Sequence, residues 1–143
     1  MSAEEVVFSN RSLELSGTLY LPAGQGPHPA LVVVHAASGG GRNFPFYQHL
    51  QDRLPASGIA ALIYDRRGSG LSGGDFATAS FADLAEDACA ALAYLRRRED
   101  IDARRSGLYG ISQGGWIAPL AAARPPETAF IALLQRSRIK SDV

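Results

Sequence analysis

The sequence predicts an α/β fold: a mostly parallel sheet with helices on both faces and an antiparallel hairpin at its N-terminus. Three observations carry that expectation. Continuous apolar runs at residues 30–34, 59–64 and 129–134 have the length and composition of strands buried on both faces. Segments with apolar residues at 3.6-residue spacing separate them, as expected of helices that cover a sheet. Ahead of these, Leu13, Leu15, Leu19 and Leu21 alternate with Glu14, Ser16, Thr18 and Tyr20, the two-residue period of a half-buried strand.

Taken in order, Val6, Val7 and Phe8 pair with that alternating strand across the polar turn at Ser9, Asn10 and Arg11, and Gly17 marks a bend within it. Residues 22–29, rich in proline and glycine and containing His28, form a loop. After the strand at 30–34 comes a glycine-rich loop from His35 to Gly41. Asn43 is the expected N-cap of a helix to about Arg53, with Phe46, Leu50 and Leu54 inward, His49 at its surface, and Pro55 and Gly58 closing it. Ser80 with Asp83 forms a capping box. In the helix that follows, Phe81, Leu84, Ala85, Ala88, Leu92 and Leu95 share the buried face, while Asp83, Glu86 and Asp87 point away. A short strand at 107–110 leads into a helix from Gln113 to about Arg124, ended by Pro125 and Pro126. The strand at 129–134 is the last regular element, and residues 135–143 turn polar and basic without periodicity.

A chain of 143 residues suits one domain. Hydrophobic residues make up 46% and charged residues 20%, an ordinary globular composition. With 14 basic and 14 acidic residues the formal charge is zero, so nothing draws the chain to nucleic acid. Arginines 96–98 and 104–105 are interleaved with Glu99, Asp100 and Asp102 and read as a solvated helix end. Cys89 is the only cysteine, which excludes an internal disulfide and a cysteine-rich metal site. The first ten residues carry Glu4 and Glu5 and lack the apolar core of a secretory signal. No run approaches the roughly 18 apolar residues of a membrane span. The expectation is a cytoplasmic protein with no membrane or nucleic-acid partner and no metal or organic cofactor.

The stretch from Gly107 to Trp116 reads strand, Gly110-Ile111-Ser112-Gln113-Gly114, helix. A serine in a strained strand-to-helix turn requires small residues two before and two after, and Gly110 and Gly114 occupy those places. Such a turn exposes the hydroxyl of Ser112 and aims the first amides of the helix at it. Ser112 is therefore the candidate nucleophile and the Gln113 N–H a candidate oxyanion donor.

Four features in register resemble the α/β-hydrolase family, in particular bacterial serine hydrolases related to dienelactone hydrolase and to peptidases of the prolyl oligopeptidase and S33 aminopeptidase type. They are residues 17–22 in the first hairpin, the apolar strand ending in His35, the pattern Asp65-x-Arg67-Gly68-x-Gly70-x-Ser72, and Gly110-x-Ser112-x-Gly114-Gly115. The resemblance covers residues 6–134. It implies the N-terminal part of an α/β-hydrolase fold, a partial domain at 1–134 and an unrelated tail at 135–143. It also implies that Ala37, or its neighbour Ala36, supplies a second oxyanion donor, that His35 holds its loop by hydrogen bonds, and that Asp65 and Arg67 tie the loop beside the site. The family's usual glycine after the strand-terminal histidine is replaced by Ala36.

In this fold the acid and the base follow the nucleophile, yet no histidine follows Ser112, and Glu127 and Asp142 are the only later carboxylates. The expectation is a frameshifted, truncated or shortened serine hydrolase of ester, thioester or peptide bonds, catalytically incomplete in these residues. Two other classes compete. A non-catalytic remnant would bind a partner or form a homo-oligomer through the strand at 129–134, which lacks the usual protections of an edge. A dinucleotide-binding module is suggested by Gly68-x-Gly70-x-x-Gly73, although residues 75–80 separate it from the next helix.

Overall fold

The computed structural model describes residues 1–37 and 40–134. Six strands form one sheet in the order β1-β2-β4-β3-β5-β6. They are β1 (Ser2–Asn10), β2 (Leu13–Leu21), β3 (His28–Val34), β4 (Ala60–Tyr64), β5 (Ile101–Ile111) and β6 (Ile131–Leu134), and the helices are α1 (Gln48–Ala56), α2 (Phe81–Arg96) and α3 (Gly114–Ala122). Strands β1 and β2 form the expected hairpin, β2 joins β4 antiparallel, and β4, β3, β5 and β6 run parallel.

The winding reverses between β3 and β5. The chain steps from β3 to β4 on one side, crosses back over β3 through α2 to reach β5, and continues to β6. A reversal of this kind leaves a crevice outside the carboxyl ends of the two central strands, where α/β sheets place their sites. Here Val34 lies opposite Gly110.

Alternation along β3 divides the core between the two faces. Val32 and Val34 pack with Leu19, Leu62, Leu92, Leu95 and Ile117 under α2 and α3, whereas Leu31 and Val33 pack with Tyr47, Leu50 and Ile63 under α1. All are buried, so each central strand is apolar on both faces as its continuous run implied. Gly17 permits the close approach of β2 to β4, since a Cβ there would lie 2.8 Å from that of Tyr64.

Several details differ from expectation. No helix starts at Asn43. Residue Phe44 precedes Pro45 and is extended (φ −58°, ψ 127°), a conformation that proline favours in the residue before it. A 3-10 turn, Pro45–Tyr47, comes next, and α1 begins only at Gln48, runs through Pro55 and has no side-chain cap. Phe46 and Phe81 are exposed, not inward. Asp87 is buried at 1% exposure, because Arg67 donates to it through Nε and Nη2 (2.7 and 2.8 Å) and Asn10 through Nδ2 (2.8 Å). His28 opens β3 instead of lying in the preceding loop, and β1 and β5 are longer than their apolar stretches. Strand β6 is mostly exposed, because no described element lies beyond it in the sheet. The capping box at Ser80 and Asp83 is present in both directions. The tail at 135–143 lies outside the described residues.

Candidate active site

Strand β5 ends at Ile111, and Ser112 then takes a left-handed backbone conformation with φ 53°. An L-residue pays for that conformation, so the fold around it must over-determine it. The Ser112 N–H donates to the Leu134 carbonyl (2.9 Å), and its carbonyl accepts from the Gly115 N–H (2.8 Å). A Cβ on Gly110 would collide with the Gly114 carbonyl, and one on Gly114 with the Val34 carbonyl, both of them backbone that cannot yield. The turn is thus pressed against the end of β3. Ser112 itself is exposed. Gln113 is the N-cap of α3, and its carbonyl accepts from Trp116 (3.0 Å). Its backbone N–H stands at the positive end of that helix.

The loop after β3 faces this turn across the crevice. His35 is buried, and its Nε2 donates to the Tyr64 carbonyl, which only accepts. Burial pushes its pKa down to about 4 against the opposing effect of that hydrogen bond, so the ring is neutral near pH 7. The Ala36 N–H is taken by the Tyr47 hydroxyl (3.1 Å). Arg66 donates from Nη1 to the carbonyls of both Ala36 and Ala37 (3.0 Å each) and from its backbone to the Gly40 carbonyl (2.7 Å). Ser38 and Gly39, between these anchors, lie outside the described residues.

Asp65, at the end of β4, is buried and saturated. It accepts from the Arg42 backbone (2.7 Å), from Arg42 Nε and Nη2 (3.2 and 3.0 Å) and from the Leu71 N–H (3.0 Å). Burial raises its pKa, but the Arg42 guanidinium and the two amides outweigh that and hold the carboxyl below its usual range. Arg42 continues to Glu5 (2.6 Å) and Thr18 (3.0 Å), joining the β1–β2 hairpin to the site loops. Ser72 links the Asp65 carbonyl (2.6 Å) with the Ser16 N–H (2.9 Å). Arg67 points instead to Asp87, on the other face. A cleft of about 810 Å³ beside Asp65 is lined by Glu5, Thr18, Tyr20, Arg42 and Phe44, and Ser112 does not border it.

The glycine pattern at 68–73 is also accounted for internally. The Gly68 N–H donates to Gly73, Ser69 to Arg66, Ser72 to Ser69 and Gly73 to Glu14, while Leu71 donates to Asp65. No row of free amides is left to cradle a pyrophosphate, and α2 begins only at Phe81.

Among the described residues no histidine or carboxylate hydrogen-bonds Ser112. His28 sits at the opposite end of β3, and His49 is on the exposed side of α1 against Phe46. Glu127 lies at the N-terminal edge of the sheet, where its carbonyl accepts from Arg96. No group of three or more His, Cys, Asp or Glu that could hold a metal occurs among the described residues, and no described helix is long and apolar enough to cross a membrane. Sequence reasoning missed Arg42, Tyr47 and Arg66. Only Arg66 carried a signal, its position inside the Asp65 to Ser72 pattern.

A sheet of this order, with a strained serine turn at its switch point, defines an α/β hydrolase fold. The chain belongs to the serine aminopeptidase S33 family, whose model matches residues 27–135. It is similar to an uncharacterised protein, YfhR, of Escherichia coli strain K12 (31% identity over 115 residues, 80% of this chain and 39% of that one). It is equally similar to the thiohydrolase apmlB of Arthrinium phaeospermum (31% over 134 residues, 90% and 41%). Among solved structures, the α/β hydrolase GrgF from Penicillium sp. sh18 superposes with a TM-score of 0.75 at 26% identity, over 93% of this chain and 45% of that one. The chain therefore spans about two-fifths of the length of the curated relatives it matches.

Proposed function

We propose that residues 1–134 form the nucleophile-bearing part of a serine hydrolase that cleaves an ester, thioester or peptide bond of a small-molecule substrate through an acyl-enzyme on Ser112. The observation that carries this reading is the left-handed Ser112 between two glycines that admit no side chain. Nothing in packing alone requires a serine where glycine would be unstrained, whereas an exposed, pre-aimed hydroxyl does. In this reading Ser112 Oγ attacks the carbonyl carbon and gives its proton to a base. The carbonyl oxygen takes the negative charge and is held by the Gln113 and Ala37 N–H groups. Collapse expels the alcohol, thiol or amine with a proton, and water then frees the acyl group and restores Ser112. Capture of the Ala36 N–H by Tyr47 favours Ala37 over Ala36 as the second donor. None of the histidines present is placed to act as the base, so the chain alone should turn over a p-nitrophenyl ester far below roughly 1 s⁻¹. The test is covalent labelling by a fluorophosphonate. Slow modification located at Ser112 and absent in Ser112→Ala supports the assignment, and equal labelling of the two proteins refutes it.

A second reading, association of two copies without catalysis, is favoured by one observation. Phe130, Ile131, Leu133 and Leu134 of the edge are exposed, as are Trp116 and Leu120 of α3. An apolar edge with unpaired backbone groups is a template for pairing.

A further inference from the structure

Arg66 is 8% exposed and forms no ion pair among the described residues, although Arg42 and Arg67 close by are both matched to aspartates. Its guanidinium carbon lies 3.5 Å over the Phe76 ring, and its Nε has no hydrogen-bond partner among the described residues. A buried cation without a counter-ion is costly, and here its hydrogen bonds go to carbonyls of a single loop. Through its backbone and Nη1 it grips that loop on both sides, at Gly40 and at Ala36 and Ala37.

The direction of the grip matters. In a trans peptide the C=O and the following N–H point to opposite sides of the chain. With the Ala36 carbonyl drawn to Arg66, the Ala37 N–H is turned away from Arg66, and the Tyr47 hydroxyl holds the preceding amide. A cation on the carbonyl also polarises the peptide, which makes the N–H at its other end a stronger donor. We propose that Arg66 is the positioning residue of the Ala37 amide, orienting and polarising it as a donor toward negative charge developing on a substrate bound at Ser112. This rests on the acyl-enzyme reading for the identity of the anion, but the orientation of the amide does not.

Two measurements on the 143-residue chain separate the proposal from that reading. In ¹⁵N spectra, Arg66→Met should shift the Ala37 amide nitrogen upfield as its preceding carbonyl loses a donor, and Arg66→Lys should restore part of the shift. Signals of the β1–β2 hairpin should stay in place. In the second, the rate of Ser112 labelling by a fluorophosphonate is compared with that by its P=S analogue, which is a poorer partner for oxyanion donors. Arg66→Met should slow P=O labelling at least tenfold, within the roughly 10²–10³-fold worth of one such donor, and should lower the P=O to P=S rate ratio. A loosened fold would slow both probes alike and leave the ratio intact. Phe76→Leu, which keeps Arg66 but removes its platform, should fall between wild type and Arg66→Met and serves if the latter does not fold. An unchanged Ala37 shift, or an unchanged ratio in a chain whose Ser112 does react, overturns the proposal. If Ser112 reacts with neither probe, the acyl-enzyme reading falls and the Ala37 shift alone decides the role of Arg66.

Discussion

Val34 and Gly110 lie opposite each other in adjacent parallel strands, so the chain leaves β3 toward Ala37 and leaves β5 toward Ser112 at the same level of the sheet. The separation of Ser112 from the start of the loop at Ala37 is thereby tied to strand register, which a one-residue slip would destroy. The contact of Gly114 with the Val34 carbonyl locks that register further.

Gly114→Ala should therefore destabilise the fold by roughly 2–3 kcal/mol, because its methyl would meet backbone on a neighbouring strand. Gly41→Ala is the matched control. A Cβ there meets nothing within 4 Å, and stability should change by about 0.5 kcal/mol or less. Urea denaturation of the two variants measures both.

Strain at Ser112 can be separated from its chemistry. Ser112→Ala keeps a Cβ at φ 53°, whereas Ser112→Gly removes it, so the glycine variant should be the more stable by about 1 kcal/mol. Equal melting temperatures for the two would mean that the turn stores no strain.

Asp87 loses its charge partner in Arg67→Met while remaining buried, and a cost of about 3–5 kcal/mol is expected. Arg67→Met combined with Asp87→Leu should recover most of that loss, since no buried charge is then left unpaired. A double-mutant cycle in guanidinium tests the coupling.

The pH dependence follows from His35. Its folded pKa, about 4, lies below the ordinary 6.5, so the stabilisation it provides as a neutral donor is complete above pH 6.5. That stabilisation is lost as pH falls toward 4, by roughly 3 kcal/mol in all. His35→Gln should flatten the stability profile between pH 6.5 and 4. A profile parallel to wild type in that window would show that His35 is not the titrating group.

For the exposed edge, sedimentation at micromolar concentration should find dimers or larger soluble species, and Ile131→Lys should shift them toward monomer. A stable monomer of the unaltered chain would contradict this.

The strands at the sheet centre, the hairpin, the capping box and the glycines around Ser112 were legible along the chain because each depends on near neighbours: polarity at period two, a hydroxyl three residues from its partner, a turn that excludes side chains. The late start of α1 was legible in principle too, since it follows from the Phe44-Pro45 pair. Other features needed the folded chain. Asp87 looks like a solvent-facing helical acid until Asn10, 77 residues away, and Arg67 close on it. Arg66 and Tyr47 reach Ala36 from other elements, one taking its carbonyl and the other its N–H. Hydrogen bonds between residues distant in sequence leave no periodic trace in polarity. Side-chain type sets what can be bonded, and only the packing of β3, β4 and α1 around one crevice decides what is.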